Sequence, residues 1–265
     1  MSQNKKKKQK PVQKPIHKGK VLEKNVFKRA LKVWGTLVLL TVLYLVFGPM
    51  FMFENVFLRI VLNTALLLLG AGILMMSGIS DGESDAALGE IVYQRKLTGK
   101  PVSQQEEASS YRPGKGFATA LFGVSPFFLL AVVLAFTTKE NTYSLGVLPA
   151  WIQSYKDVTM TGKALEYYDI TRSLGAVDII RTIVRAHLLP IFSMINIQAA
   201  SEVLIERLTP LLVLILPMGY GIGYLRGKQV RSMIHSNIAK NTRKKRKQDK
   251  RARPKKTPKE PEKLV

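Results

Sequence analysis

Four stretches of the chain carry apolar residues on every side and no charge, each for about the length of a bilayer crossing. Residues 33–53, 60–79 and 117–138 are uncharged throughout, and residues 208–225 form a shorter fourth run bounded by Arg207 and Arg226. A helix crosses the hydrocarbon core with about twenty apolar residues, and only internally bonded backbone is tolerated there. Helices of soluble proteins normally keep a polar face; these segments keep none. The pattern predicts an all-α integral membrane protein with about four transmembrane helices. The first run, long and preceded by a polar segment, reads as an uncleaved first span.

A fifth run, residues 186–201, is uncharged but only sixteen residues long and is interrupted by Pro190. It predicts an interfacial or re-entrant helix. Asp178, Ile179, Ile180, Ile183 and Val184 give it an amphipathic start. Arg181 and Arg185, one helical turn apart, are placed to hold lipid phosphates. The expected divisions are a basic tail over 1–32, a two-helix hairpin over 33–79, a loop over 80–116, the third span over 117–138, an extracytoplasmic segment over 139–207, the fourth span over 208–225, and a second basic tail over 226–265. Within the loop, residues 86–95 have helical composition after a cap at Ser84 or Asp85, and Gly99-Lys100-Pro101 stops them. In the segment over 139–178, Val147, Leu148, Trp151 and Ile152 are expected against the membrane surface, and residues 163–172 in a polar-faced helix.

Charge gives the orientation. Residues 1–32 hold twelve Lys and Arg against Glu23, and residues 226–265 hold sixteen against Asp249, Glu260 and Glu262, for +11 and +13 of the net +23. The middle is therefore close to neutral, at −1. Basic flanks resist translocation, so both termini are expected in the cytoplasm, and a bacterial plasma membrane is the expected location. Both tails read as disordered, because they lack apolar surface to bury. They invite attraction to anionic lipids as the leading reading and non-specific RNA or ribosome contact as the alternative. Lys5, Lys6, Lys7, Lys8, Arg243, Lys244, Lys245, Arg246 and Lys247 are the residues concerned. No aromatic residue is interleaved over 242–253 to stack on bases.

Candidate chemistry is thin. There is no cysteine, which excludes thiolate metal sites and Cys nucleophiles, and no cofactor or metal is expected. Asp81, Glu83, Asp85 and Glu90 begin like a calcium loop, but Ala86 and Val92 stand where Gly and a bidentate Glu are required; a solvated acidic loop is expected. Gly114-Lys115-Gly116 lacks the rest of a phosphate loop, and Lys115 reads as a headgroup anchor. Asn63, His187, Asn196 and Glu202 are polar groups in or beside apolar segments and are functional suspects on that ground. Gly219, Gly223 and Gly227 share one helix face and predict close helix packing, with Gly70 and Gly72 as the partner surface. The resulting expectation is a non-enzymatic scaffold or accessory subunit of a membrane complex, with a membrane-protein partner or a second copy. The alternatives are a small oligomeric transporter or channel subunit, and a ribosome-docking or membrane-insertion factor acting through the C-tail.

Overall fold

The computed structural model describes residues 15–51, 53–138, 175–195 and 199–252. Lys5–Lys8, the surface segment around Trp151, the helix expected over 163–172 and Asn196 lie outside the described residues.

All regular structure among them is helical. α1 runs over Lys24–Phe47 and ends where Gly48-Pro49 cannot continue it. After a short 3-10 turn at Pro49–Phe51, the side chain of Asn55 caps α2 by accepting from the amides of Phe57 and Leu58 at 3.0 and 3.3 Å. α2 then runs unbroken over Val56–Leu97, and Gly99 with φ 66° ends it. α3 spans Gln104–Ser109 behind a Ser103/Glu106 capping box, and α4 spans Pro113–Thr137 with Pro113 in its first turn. α5 (Ala176–His187), α6 (Leu189–Met194), α7 (Ala199–Val213) and α8 (Ile215–Ala252) follow. Four helical stretches are long and apolar enough to cross a membrane, beginning at Lys24, Val56, Pro113 and Val203. Phe57, Leu68, Met76, Leu121, Phe136 and Leu211 stand largely exposed along them. In water that would be an aggregation surface; in a bilayer it is the lipid face of a multi-pass membrane protein.

Two hairpins, α1/α2 and α4/α7–α8, lie side by side in the same sense, so α1 runs parallel to α4 and α2 parallel to α8. Gly219 packs on the backbone of Ala71, Gly223 on Met75, and Gly227 on Gly82 and Glu83, while Gly78 and Gly82 receive the backbones of Tyr220 and Tyr224. The glycine face of α8 thus packs inside the chain, on Ala71, Met75, Gly82 and Glu83 of α2, and of these only Gly82 is itself a glycine. Gly70 faces Tyr44 of α1, and Gly72 meets nothing within 4 Å. The apolar core lies between the hairpins, with Val33, Leu37, Leu40 and Tyr44 on α1 against Val124, Phe127, Ala131 and Leu134 on α4.

Among the described residues two prolines sit in the interior of a spanning helix, Pro126 in α4 and Pro210 in α7. Each deprives the carbonyl four residues earlier of its amide partner. In each case the hydroxyl of the preceding residue takes that place: Ser125 donates to Phe122 O at 2.9 Å, and Thr209 to Glu206 O at 2.6 Å. Backbone in lipid has no water to turn to, so the Ser-Pro and Thr-Pro pairs keep these helices continuous. Pro217 falls in the first turn of α8, just after the one-residue turn at Leu214 that separates it from α7.

Three expectations are corrected. The acidic run is not a solvated loop, because α2 continues through Asp81, Asp85 and Glu90 with no break or cap at Ser84 or Asp85. Its small residues, Gly78, Gly82, Ala86 and Gly89, lie on one face and let neighbouring backbone close in. The C-tail is not irregular from residue 226; α8 carries on as helix to Ala252, propagating from a nucleus already fixed by packing. In the N-tail, residues 15–23 form a strap along the end of the bundle, where His17 N bonds Gly89 O at 3.1 Å and Lys20 N bonds Ala108 O at 3.0 Å.

Candidate functional site

Charged side chains gather at two levels of the bundle. The larger cluster sits where the strap, α1, α2, α3, α4 and α8 meet, just beyond the apolar part of α2. Asp85, 3% exposed, takes the guanidinium of Arg29 on both oxygens at 2.7 and 2.8 Å and accepts from the Tyr224 hydroxyl at 2.6 Å. One turn earlier, Asp81 accepts from the Tyr220 hydroxyl at 2.7 Å and lies 3.8 Å from Arg29. Asp81 and Asp85 are four apart, as are Tyr220 and Tyr224, so two parallel helices in fixed register match both pairs at once.

Lys115 completes the cluster and is not a headgroup anchor. It is fully buried and donates to the carbonyls of Ala108, Ser109 and Ser110 at 3.2, 2.9 and 3.0 Å. These are the carbonyls that the end of α3 leaves unpaired. Its ammonium also lies 3.4 Å from Glu23 and 3.5 Å from Asp85. Tyr111 stacks on Tyr224 with centroids 5.3 Å apart, and burial there pushes its phenol above the ordinary value. At the outer edge of the cluster Lys96 pairs with Glu107 at 2.8 Å; its hydrogen bond holds the Glu107 carboxyl below the ordinary range. A cavity of about 460 Å³ opens beside the cluster, lined by Asn25, Arg29, Ser84, Asp85, Ser103 and Glu106 among others. Its ionic groups are already taken within the chain, Arg29 by Asp85 and Glu106 by Arg95 at 3.0 Å.

The second cluster lies at the opposite end. Glu206, 1% exposed, accepts from Thr138 at 2.8 Å and from Arg185 Nε at 2.8 Å, and lies 2.9 Å from Arg181. Arg181 and Arg185 therefore converge on a buried carboxylate. Nearby, the Thr41 hydroxyl lies 2.9 Å from Leu37 O and 2.8 Å from His187 Nδ1, within hydrogen-bond reach of both. His187 stacks on Phe127 with centroids 4.4 Å apart. Thr41 lies six residues inside the end of α1. The α5–α6 pair therefore dips about 9 Å into the bundle from that end.

Of the polar suspects, Asn63 is buried and donates to Arg59 O at 2.9 Å, and it does not meet His187. Glu202 lies in α7, one turn before the glutamate that organises this end. Glu206 and Arg29 were not among the sequence candidates, while Asp85 was read as part of a solvated loop and Lys115 as a headgroup anchor. The matching four-residue spacings of Asp81/Asp85 and Tyr220/Tyr224 were the available signal for the first cluster.

α8 joins the larger cluster to the solvent. Arg231 lies 3.4 Å and His235 2.8 Å from Glu90, fixing the helix to the far half of α2. Beyond Ser236 the residues with described side chains, through Lys244, are exposed, Arg243 and Lys244 among them, and Lys245, Arg246 and Lys247 follow in the same helix. No protein-family model, no curated protein and no solved structure matches the chain.

Proposed function

We propose that this multi-pass membrane protein is a non-enzymatic scaffold, an accessory subunit of a membrane complex that holds a rigid basic helix in the aqueous space beside the membrane. The observation that carries this reading is the continuity of α8 from inside the bundle to Ala252, with Glu90 tying its middle to α2. Arg243 lies 18 residues past Leu225, the last apolar residue of the span, or about 27 Å along the helix. The clusters at either end are internal ties that keep the platform in one arrangement. The basic flanks favour the cytoplasmic side for both termini, and a bacterial plasma membrane is the proposed location.

The absence of cysteine makes a distance measurement direct. Spin labels at Gln94→Cys and Lys244→Cys should give a narrow distance distribution in lipid nanodiscs; a broad one removes the rigid arm. Mild-detergent purification of the full chain beside a chain ending at Ser236 then locates the complex. A stoichiometric membrane-protein partner kept by both places the contact on the spans, whereas a lone monomer in both samples sinks the scaffold reading.

A second reading, a small oligomeric transporter or channel subunit, has one observation in its favour. Tyr44 Oη, Asn63 Oδ1, His187 Nε2 and Ser193 Oγ are buried polar atoms with no hydrogen-bond partner, a costly state in an apolar interior. Solute flux in proteoliposomes, lost in Asn63→Leu and His187→Phe, would favour it.

A further inference from the structure

The last sixteen helical residues of α8, 237–252, carry Lys240, Arg243, Lys244, Lys245, Arg246, Lys247, Lys250 and Arg251 against Asp249 alone, a net of +7. Over roughly 24 Å of helix this is one positive charge per ~3.4 Å, the axial spacing of phosphates along one strand of a duplex. Four kinds of partner could answer such a charge, and geometry and composition separate them.

An anionic membrane surface is too far away. Screening confines its field to about 8 Å at physiological salt. Residues 243–247 lie 18 to 22 residues beyond Leu225, about 27–33 Å along an unbroken helix. Headgroups occupy only the first ~5–8 Å of that distance. α8 is also held alongside α2 as far as His235, so it leaves the membrane along the bundle axis and does not lie on the surface. A protein groove is a poor match too. From residue 237 onward the helical part holds only Ile238, Ala239 and Ala252 as apolar residues, too few to form the apolar, aromatic-rich centre of a protein interface. Single-stranded nucleic acid lacks its usual partner, since the arm has no aromatic residue to stack on bases. The phosphate backbone of a duplex remains, and it needs only charge along a line.

We infer that residues 237–252 form a nucleic-acid-binding arm that tracks the phosphate backbone of a double-stranded segment without reading its sequence. This rests on the scaffold reading above and names the partner class of its helix.

The test uses the full chain in nanodiscs of phosphatidylcholine only, titrated with a fluorescent 20-base-pair RNA duplex and with the DNA duplex of the same sequence. A variant carrying Arg243→Gln, Lys244→Gln, Lys245→Gln, Arg246→Gln and Lys247→Gln removes charge beyond the last tie to α2 at His235 and leaves the platform intact. The wild-type chain should bind at least one duplex, with log affinity falling steeply against log salt. In the variant that slope should be shallower by roughly 4, and binding at least tenfold weaker. The tighter of the two duplexes identifies the source of the phosphates. Replacing a third of the disc lipid with phosphatidylglycerol should leave binding unchanged. Absence of duplex binding, equal binding by the variant, or loss of binding on adding phosphatidylglycerol would each overturn the inference, the last by assigning the arm to the membrane surface. A narrow spin-label distance together with no duplex binding would leave the scaffold standing and remove only this partner.

Discussion

The hydroxyl of Tyr224 donates to Asp85 at 2.6 Å from a parallel helix 139 residues away in sequence, and the same carboxylate chelates Arg29. One acid therefore ties α1, α2 and α8 together at the point where α2 and α8 leave the apolar zone. Removing one partner of a buried ion pair leaves the other charge uncompensated, which costs more than the pair contributes.

Asp85→Ala should accordingly destabilise the protein by about 3 kcal/mol, near the lower end for buried pairs because Arg29 retains some solvent contact. Asp81→Ala should cost about 1 kcal/mol, since Asp81 is more exposed and its Arg29 contact is long. Denaturation in mild detergent, followed by tyrosine fluorescence, orders the two. Equal losses would mean that Asp85 is not the organising acid.

The glycine seam makes a sharper claim. A Cβ at Gly223 or Gly78 would drive into backbone of the facing helix, whereas one at Gly72 meets open space. Gly223→Ala and Gly78→Ala should each lower stability despite the better helix propensity of alanine, worth about 1 kcal/mol. Gly72→Ala should be neutral or slightly stabilising in the same assay.

Lys115→Met keeps most of the side-chain volume but strips three α3 carbonyls, Glu23 and Asp85 of their ammonium. Hydrogen exchange should accelerate over residues 103–111 and at the strap amides of His17, Gly19 and Lys20, and remain slow at the centre of α4. A uniform change along the chain would argue against a local block.

The hydroxyl–proline pairs can be compared directly. Thr209→Val leaves a buried carbonyl without a donor and should cost about 1 kcal/mol, within the range of single hydrogen bonds in membrane proteins. Ser125→Ala, at an exposed position, should cost less. Unfolding in bicelles separates them, and a neutral Thr209→Val would show that the carbonyl of Glu206 finds another donor.

The spans were legible because twenty uncharged residues admit few structures. The far half of α2 was not, because Asp81, Glu83, Asp85 and Glu90 look solvated when only their own segment is considered. Their partners Arg29, Lys115, Tyr224 and His235 come from three other helices of the chain. Glu206 was missed for a related reason, since Arg181 and Arg185 look like lipid contacts until a carboxylate from α7 is brought between them. The glycine face of α8 was readable from spacing alone, but its register on α2 was not. The α8 glycines meet α2 at Ala71, Met75 and Gly82, so the seam starts between Gly70 and Gly72 but uses neither and runs on for three turns.

The parallel seam also sets a schedule for the ribosome. Gly78 and Tyr220, whose backbone packs on it, are separated by 142 residues of chain, which take roughly 7–28 s to synthesise. Throughout that interval the first hairpin sits with one flank uncovered, small residues and two aspartates side by side, and α8 not yet made. Whatever occupies that flank in the meantime must be bound loosely enough for the last helix to displace it.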